Sequence, residues 1–86
     1  YMREIHTKKV YRHFKGNYYY IEEIAKSSET KEELVVYRAL YGEDKTLWVR
    51  PLQMFLEEVD PQRPGNVTGQ SYRFEEVEEI GKDHVN

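Results

Sequence analysis

The sequence LVVYRALY at positions 34–41 gives the strongest indication of the fold class of this chain. Its β-branched and aromatic side chains favour a strand. Residues 35, 37, 39 and 41 alternate with residues 36, 38 and 40, and Arg38 is the single charged residue among them. The pattern therefore predicts an interior strand that is covered on much of both faces. The preceding residues TKEE (30–33) match a capping box, so an α+β fold with one short helix near residues 30–40 is the alternative.

Two strand-like segments precede this stretch, at residues 9–13 and 18–26. The Gly-Asn pair at 16–17 between them tolerates the positive φ angles of a tight hairpin turn. In the second segment, Tyr19 and Ile21 share one face by the two-residue period of a strand, whereas Ile24 is out of phase with them. One extra residue near positions 22–23 would return Ile24 to the core face, so a β-bulge is predicted there.

A polar loop at 42–46 follows, and LWVR at 47–50 predicts the second strand of an antiparallel hairpin. Pro51 ends that strand because it lacks a backbone N–H, and the spacing of Leu52 and Phe55 predicts a single 3₁₀ turn. Residues 60–71 contain two prolines and two glycines and are expected to form a mobile loop before a last strand at 72–77. The predicted fold is mainly β: a small, strongly bent antiparallel sheet or SH3-like barrel with a short 3₁₀ turn.

The size and composition of the chain limit its function. Its 86 residues make one domain, with residues 1–8 and 81–86 expected to fray. No cysteine is present, which excludes disulfides and thiolate chemistry. No apolar run is long enough to cross a bilayer, so a cytoplasmic location without a membrane partner is expected. The net charge of −3 disfavours nucleic acid as a partner, and the 14% aromatic residues supply a small core.

Catalytic and metal-binding patterns are absent from the sequence. The serines lack the glycine elbow of an activated nucleophile, and the three histidines are isolated, with no cysteine to complete a metal site. No cofactor is predicted, because no glycine-rich loop precedes a helix. The remaining enzymatic alternative is a minor enzyme centred on His13 with Ser28, Glu29 or Thr30, although nothing in their spacing brings these residues together.

Arginines beside aromatic residues form the pattern that favours a function. Three of them, at positions 12, 38 and 50, lie on strands that are predicted to be neighbours. Guanidinium groups stack on rings and bind carboxylate or phosphate through two hydrogen bonds. The leading hypothesis is a non-enzymatic binding module whose Arg/aromatic face takes a peptide, a protein segment or another anionic ligand. The alternative is a structural or protein-interaction accessory domain. The candidate ligand-binding residues are Arg12, His13, Tyr37, Arg38, Trp48 and Arg50.

Four blocks of the sequence resemble a known family. They are YRHFKG (11–16), SET (28–30), VVYRALYG (35–42) and WVRPL (48–52), the last followed by Met54 and Phe55. Together they cover residues 10–59 and resemble the small bacterial family known as domain of unknown function 1653. The resemblance implies a compact bacterial domain that stands alone or is appended to others. It implies no activity, cofactor or catalytic residue.

Overall fold

Five strands form one antiparallel sheet in the computed structural model, which describes residues 4–43 and 45–77. The order of the strands across the sheet is β4-β3-β2-β1-β5, so β4 and β5 are its two edges. A single short helix accompanies the sheet in this described part of the chain. The elements are β1 (Val10–His13), β2 (Tyr18–Lys26), β3 (Glu33–Ala39), β4 (Leu47–Pro51), α1 (Leu52–Phe55) and β5 (Phe74–Glu76).

The mainly β prediction is confirmed, and the interior strand lies where the sequence places it. Strand β3 pairs with β2 on one side and β4 on the other. Its residues Val35, Tyr37 and Ala39 are buried, and the alternate residues are half-buried. The alternative of a helix near residues 30–40 is wrong. The Thr30 hydroxyl accepts the backbone N–H of Glu32 at 3.1 Å, which closes a turn where the capping box pattern indicated a helix start.

The predicted closure into a barrel is not found, because the sheet is open. Within the described residues, strand β5 pairs with β1 alone, and the chain after β4 turns directly into α1. That helix packs against β3 and β4, and the two edge strands, β4 and β5, do not pair with each other. The predicted 3₁₀ turn is one α-helical turn, since the backbone N–H of Leu56 donates to the carbonyl of Leu52 at 3.0 Å.

The first hairpin and the bulge are confirmed. The backbone N–H of His13 donates to the carbonyl of Asn17 at 2.8 Å, and Gly16 adopts a φ of 102°, which a side chain would oppose. The register between β2 and β3 shifts between Ile21 and Glu23. Because of this extra residue, Ile24 lies opposite Val35 and packs against the core.

Hydrogen bonds hold the loop that connects α1 to β5. The Asn66 side-chain amide donates to the carbonyls of Asp60 and Gln70, and its Oδ1 accepts the backbone N–H groups of Gly69 and Gln70. The mobility predicted for residues 60–71 stays a prediction. Fraying at residues 81–86 falls outside the described residues, as do residues 1–3. In the described part of the chain, α1 is four residues long, and no helix has the length and apolarity to span a membrane.

Candidate functional site

The sheet divides the six predicted ligand-binding residues between its two faces. Residues directly opposite each other on paired strands project to the same face. His13 lies opposite Phe74, Tyr37 opposite Trp48, and Arg50 opposite Val35. All of these are on the buried side, which we name the core face. Two of the predicted residues, Arg12 and Arg38, are on the other side, which we name the outer face.

The two arginines of the outer face have partners of their own. The Nε–H of Arg12 donates to the Oε1 of Gln70 at 2.8 Å, and the buried Gln70 amide donates in turn to the carbonyls of Arg12 and Tyr72. The Nε–H of Arg38 donates to a carboxylate oxygen of Glu22 at 3.1 Å. Arg12 thereby ties the loop after α1 to the sheet, and Arg38 links β3 to the neighbouring strand β2. The single surface of three arginines that the sequence predicted is therefore not formed.

The core face carries a continuous cluster of aromatic rings. Phe55, from α1, stacks on Phe74 with ring centroids 4.1 Å apart and an interplanar angle of 5°. The ring of Tyr37 meets both of them edge-on at 5.4 and 5.6 Å, and Tyr19 meets Tyr37 and Phe74 in the same way at 5.3 and 5.5 Å. Edge-to-face and offset contacts of this kind stabilise a small core beyond the area that they bury.

Arg50 lies at the margin of this cluster. Its Nε–H donates to the hydroxyl of Tyr37 at 3.3 Å, and its Cζ lies 5.8 Å from the centroid of the Phe74 ring. Within residues 4–43 and 45–77, no carboxylate forms an ion pair with it. A hydroxyl and a ring orient the guanidinium but do not neutralise its charge. Arg50 thus offers a positioned cation to an anionic group.

His13 lies beside the same cluster, in positive surroundings. Its ring is 4.8 Å from Phe74 and 4.4 Å from Phe14, centroid to centroid. Burial lowers the pKa of His13 to about 4, and the positive charges of Arg73 and Arg50 contribute in the same direction. Neutral imidazole is therefore the form present near pH 7. Its Nδ1 accepts the backbone N–H of Lys15 at 3.1 Å, so the proton resides on Nε2.

Two further arginines contribute to the positive surroundings of His13. The Cζ atoms of Arg63 and Arg73 lie 4.9 and 5.6 Å from the centroid of the Phe14 ring. Arg73 is also paired with Glu57, its Nε–H donating to Oε1 at 2.7 Å. The sequence analysis did not select either arginine, because both come from the loop after α1 or from its end, and no local pattern predicts where that loop returns to the sheet.

Beyond Tyr37, the core face opens into a hollow at the edge of the sheet. The hydroxyls of Tyr19 and Tyr41 lie 3.0 Å apart, and burial together with this hydrogen bond raises the pKa of Tyr19. Trp48, which is 49% exposed, forms one wall. The hollow has a volume of about 250 Å³ and is lined by Ala39, Tyr41, Gly42, Glu43, Lys45, Thr46 and Trp48.

The residues of the enzymatic alternative are not brought together. His13 and the 28–30 segment lie at opposite ends of β2, whose nine residues span about 30 Å. The Ser28 hydroxyl donates to the neighbouring Glu29 carboxylate, and Thr30 closes its local turn. Among the described residues, no three His, Cys, Asp or Glu side chains are grouped as metal ligands.

Comparisons with known proteins identify relatives without an assigned activity. A family model described as "Protein of unknown function (DUF1653)" matches residues 9–76, which extends past the region of resemblance to include β5. A crystal structure of a protein of the same family, from Bordetella bronchiseptica, is similar at 32% sequence identity and a TM-score of 0.72. The similarity covers 93% of this chain and 96% of that one. No curated protein matches the chain.

Proposed function

The chain belongs to the family of proteins of unknown function DUF1653, and we propose that it is a non-enzymatic binding module that holds an anionic group against Arg50. The proposal rests on the guanidinium of Arg50, which is held in place but is not paired with a carboxylate of the described residues. It is oriented by the Tyr37 hydroxyl and the Phe74 ring, and no carboxylate of the described residues neutralises it. Of the predicted ligand-binding residues, His13, Tyr37, Trp48 and Arg50 share the core face and belong to the proposed site.

The chemistry of these groups selects a carboxylate or a phosphate. A guanidinium presents parallel N–H donors that match the two oxygens of either anion, and such charge-assisted bonds are about twice as strong as neutral ones. Burial is the main cause of the low pKa of His13, and the positive charges of Arg73 and Arg50 that add to it also favour an anion at this place. Neutral His13 adds an Nε2–H donor to the site, because Lys15 occupies its Nδ1.

The aromatic rim gives the site a place for the rest of the ligand. Tyr41 and Trp48 are 44% and 49% exposed and border the hollow next to Tyr37. An exposed ring surface beside a cation suits a ligand that has a planar or apolar part next to its charge, since ring stacking adds to the charged contact. The proposal therefore covers acidic peptides and nucleotides, which share the anion and differ in what contacts the rim.

Trp48 is the only tryptophan of the chain, so its fluorescence reports binding directly. The titration uses two matched pairs of probes: a nucleoside monophosphate and its nucleoside, and a short peptide with a free carboxyl terminus and the same peptide amidated. We expect a saturable change with at least one charged probe and none with its neutral counterpart. The charged probe that binds identifies phosphate or carboxylate as the recognised group.

Two variants of equal net charge separate the site from general electrostatics. Arg50→Gln removes the cation beside the aromatic cluster, whereas Lys26→Gln removes an exposed cation at the far end of β2. We expect Arg50→Gln to weaken binding by about tenfold or more, as loss of a charge-assisted bond does, and Lys26→Gln to bind within about twofold of the native protein. Equal weakening by both variants, or no saturable binding of any charged probe, would contradict the proposal.

A further inference from the structure

The edge strand β4 exposes apolar side chains on both faces of the sheet. Leu47, Trp48 and Val49 are 47%, 49% and 57% exposed. Edge strands are usually protected by charges, by proline or by shortness. The opposite edge, β5, follows this rule, since it has three residues of which two are glutamates. In the described part of the chain, β4 is protected only at its end, by Arg50 and Pro51.

Among residues 4–43 and 45–77, no strand pairs with the outer edge of β4, which leaves a defined set of its backbone groups unpaired. The N–H of Ala39 donates to the carbonyl of Thr46 at 2.9 Å. Hydrogen-bonded pairs alternate with non-bonded pairs in an antiparallel ladder, so Trp48 and Arg50 also direct their backbone groups toward β3. The backbone groups of Leu47 and Val49 therefore point away from the sheet, whereas the carbonyl of Pro51, which is the N-cap residue of α1, accepts the first hydrogen bond of that helix.

We propose that β4 pairs antiparallel with β4 of a second copy of this chain, around a two-fold axis at Val49. In this register the two Val49 residues exchange both of their backbone hydrogen bonds. Leu47 lies opposite Pro51 of the second copy. The N–H that Pro51 lacks falls at the two ends of the paired strands, where its loss breaks no inner bond. The outward donor and acceptor of Val49 are thus matched by the same groups of the second copy, and the pairing makes a continuous ten-stranded sheet from two five-stranded ones.

The side chains favour the same register. Trp48 lies opposite Arg50 of the second copy on the core face, where a guanidinium and an indole ring attract each other. On the outer face, Val49 meets Val49 and Leu47 meets the ring of Pro51, so exposed apolar area is buried. Each copy would contribute Trp48 to the neighbourhood of the other's Arg50. The interface goes beyond the anion site and does not require it, because the pairing is made by the backbone and by Val49.

Charge substitution at Val49 tests this register, because the axis brings the two copies of that side chain together. Val49→Lys and Val49→Glu each place like charges directly opposite one another, while in a single chain position 49 is more than half exposed and tolerates either residue. We expect native protein to rise toward the mass of two chains with concentration in sedimentation equilibrium. Each variant alone should raise the dissociation constant by about tenfold or more. An equimolar mixture of the two variants should recover the dimer.

Matched controls use Val67, which is 71% exposed in the loop after α1. Val67→Lys and Val67→Glu should each dimerise like the native protein. A native protein that keeps the mass of one chain at NMR concentrations overturns the proposal. So does a mixture of the two Val49 variants that is no more dimeric than each variant alone. Recovery in the mixture cannot come from misfolded chains. Because the second copy's Trp48 lies near Arg50 only in the dimer, titrating the anion into either Val49 variant alone tests anion binding separately from dimer formation.

Discussion

Acidification should destabilise the fold through His13. The folded-state pKa of this side chain is about 4, against 6.5 for the free group, so the unfolded chain binds the proton more readily. The stability associated with neutral His13 is therefore complete above pH 6.5 and is lost as the pH falls toward 4. Protonation also breaks the hydrogen bond that Nδ1 accepts from the N–H of Lys15.

The size of the effect follows from the difference between the two pKa values. This difference corresponds to about 3 kcal/mol of unfolding free energy once the pH is below both pKa values. Because the ring is only half-buried, solvent screening reduces this figure, and we expect about 1 kcal/mol to be lost between about pH 7 and about pH 5. This range lies above the ordinary pKa values of the carboxylates, so titration of Asp and Glu contributes little to the difference.

Urea unfolding monitored by circular dichroism measures the effect as a difference between two proteins. His13→Asn keeps a side-chain acceptor for Lys15 but does not titrate in this range, so its free energy of unfolding should fall less than that of the native protein. His6→Asn should have the opposite effect, with a larger fall in the free energy of unfolding on acidification than the native protein shows. A hydrogen bond to Glu76 raises the pKa of His6, so protonated His6 stabilises the fold below its unfolded pKa, and this contribution is lost as the pH rises. Parallel pH profiles for native protein and His13→Asn, or an NMR titration of His13 near its ordinary pKa, would contradict this prediction.

Two further substitutions test the core and the loop. Phe55→Ala removes a fully buried ring from the aromatic cluster and should cost about 3–5 kcal/mol in urea unfolding, a large part of the roughly 4–13 kcal/mol expected for a domain of this size. Met54→Ala, on the exposed side of the same helical turn, should cost less than about 1 kcal/mol, and equal losses would show that Phe55 does not anchor the core. Asn66→Ala removes the acceptor of two backbone N–H groups and two donated bonds, so we expect a loss of about 1–3 kcal/mol and faster hydrogen exchange at Gly69 and Gln70. Unchanged exchange at these two amides would contradict the role given to Asn66.

Local features of the fold were predictable because their causes are local. The hairpin at 16–17 requires a residue that tolerates positive φ, and Gly16 supplies it. The bulge follows from counting alone, since Ile24 reaches the core face only if one residue is added after Ile21. The one-turn helix after Pro51 was placed correctly but assigned the wrong hydrogen-bond pattern, because the spacing of Leu52 and Phe55 suits a single turn of either type.

The candidate site was predictable only in part. Arginines beside aromatic residues indicated an Arg/aromatic face, but two of the three project to the other side. Residues 12, 38 and 50 are even-numbered positions on different strands, and the face on which each projects depends on cross-strand register. The bulge in β2 and the lengths of the turns that connect the strands set that register. Arg73 and Arg63 escaped prediction for a related reason, since a long loop brings them next to Phe14.

A small, aromatic-rich, mainly β domain without cysteine chemistry could be predicted from the sequence alone. Alternation, turn residues and composition act over a few positions, and they carry this information directly. The tertiary structure alone decided that the sheet stays open, that Arg50 is separated from Arg12 and Arg38, and that His13 is neutral. Each of these depends on residues far apart in the chain. Strand β5 pairs with β1, Arg50 donates a hydrogen bond to the Tyr37 hydroxyl, and the charge of Arg73 acts on His13. Burial and charge act through space, so the pKa of His13 and the unneutralised charge of Arg50 arise only when the strands are assembled.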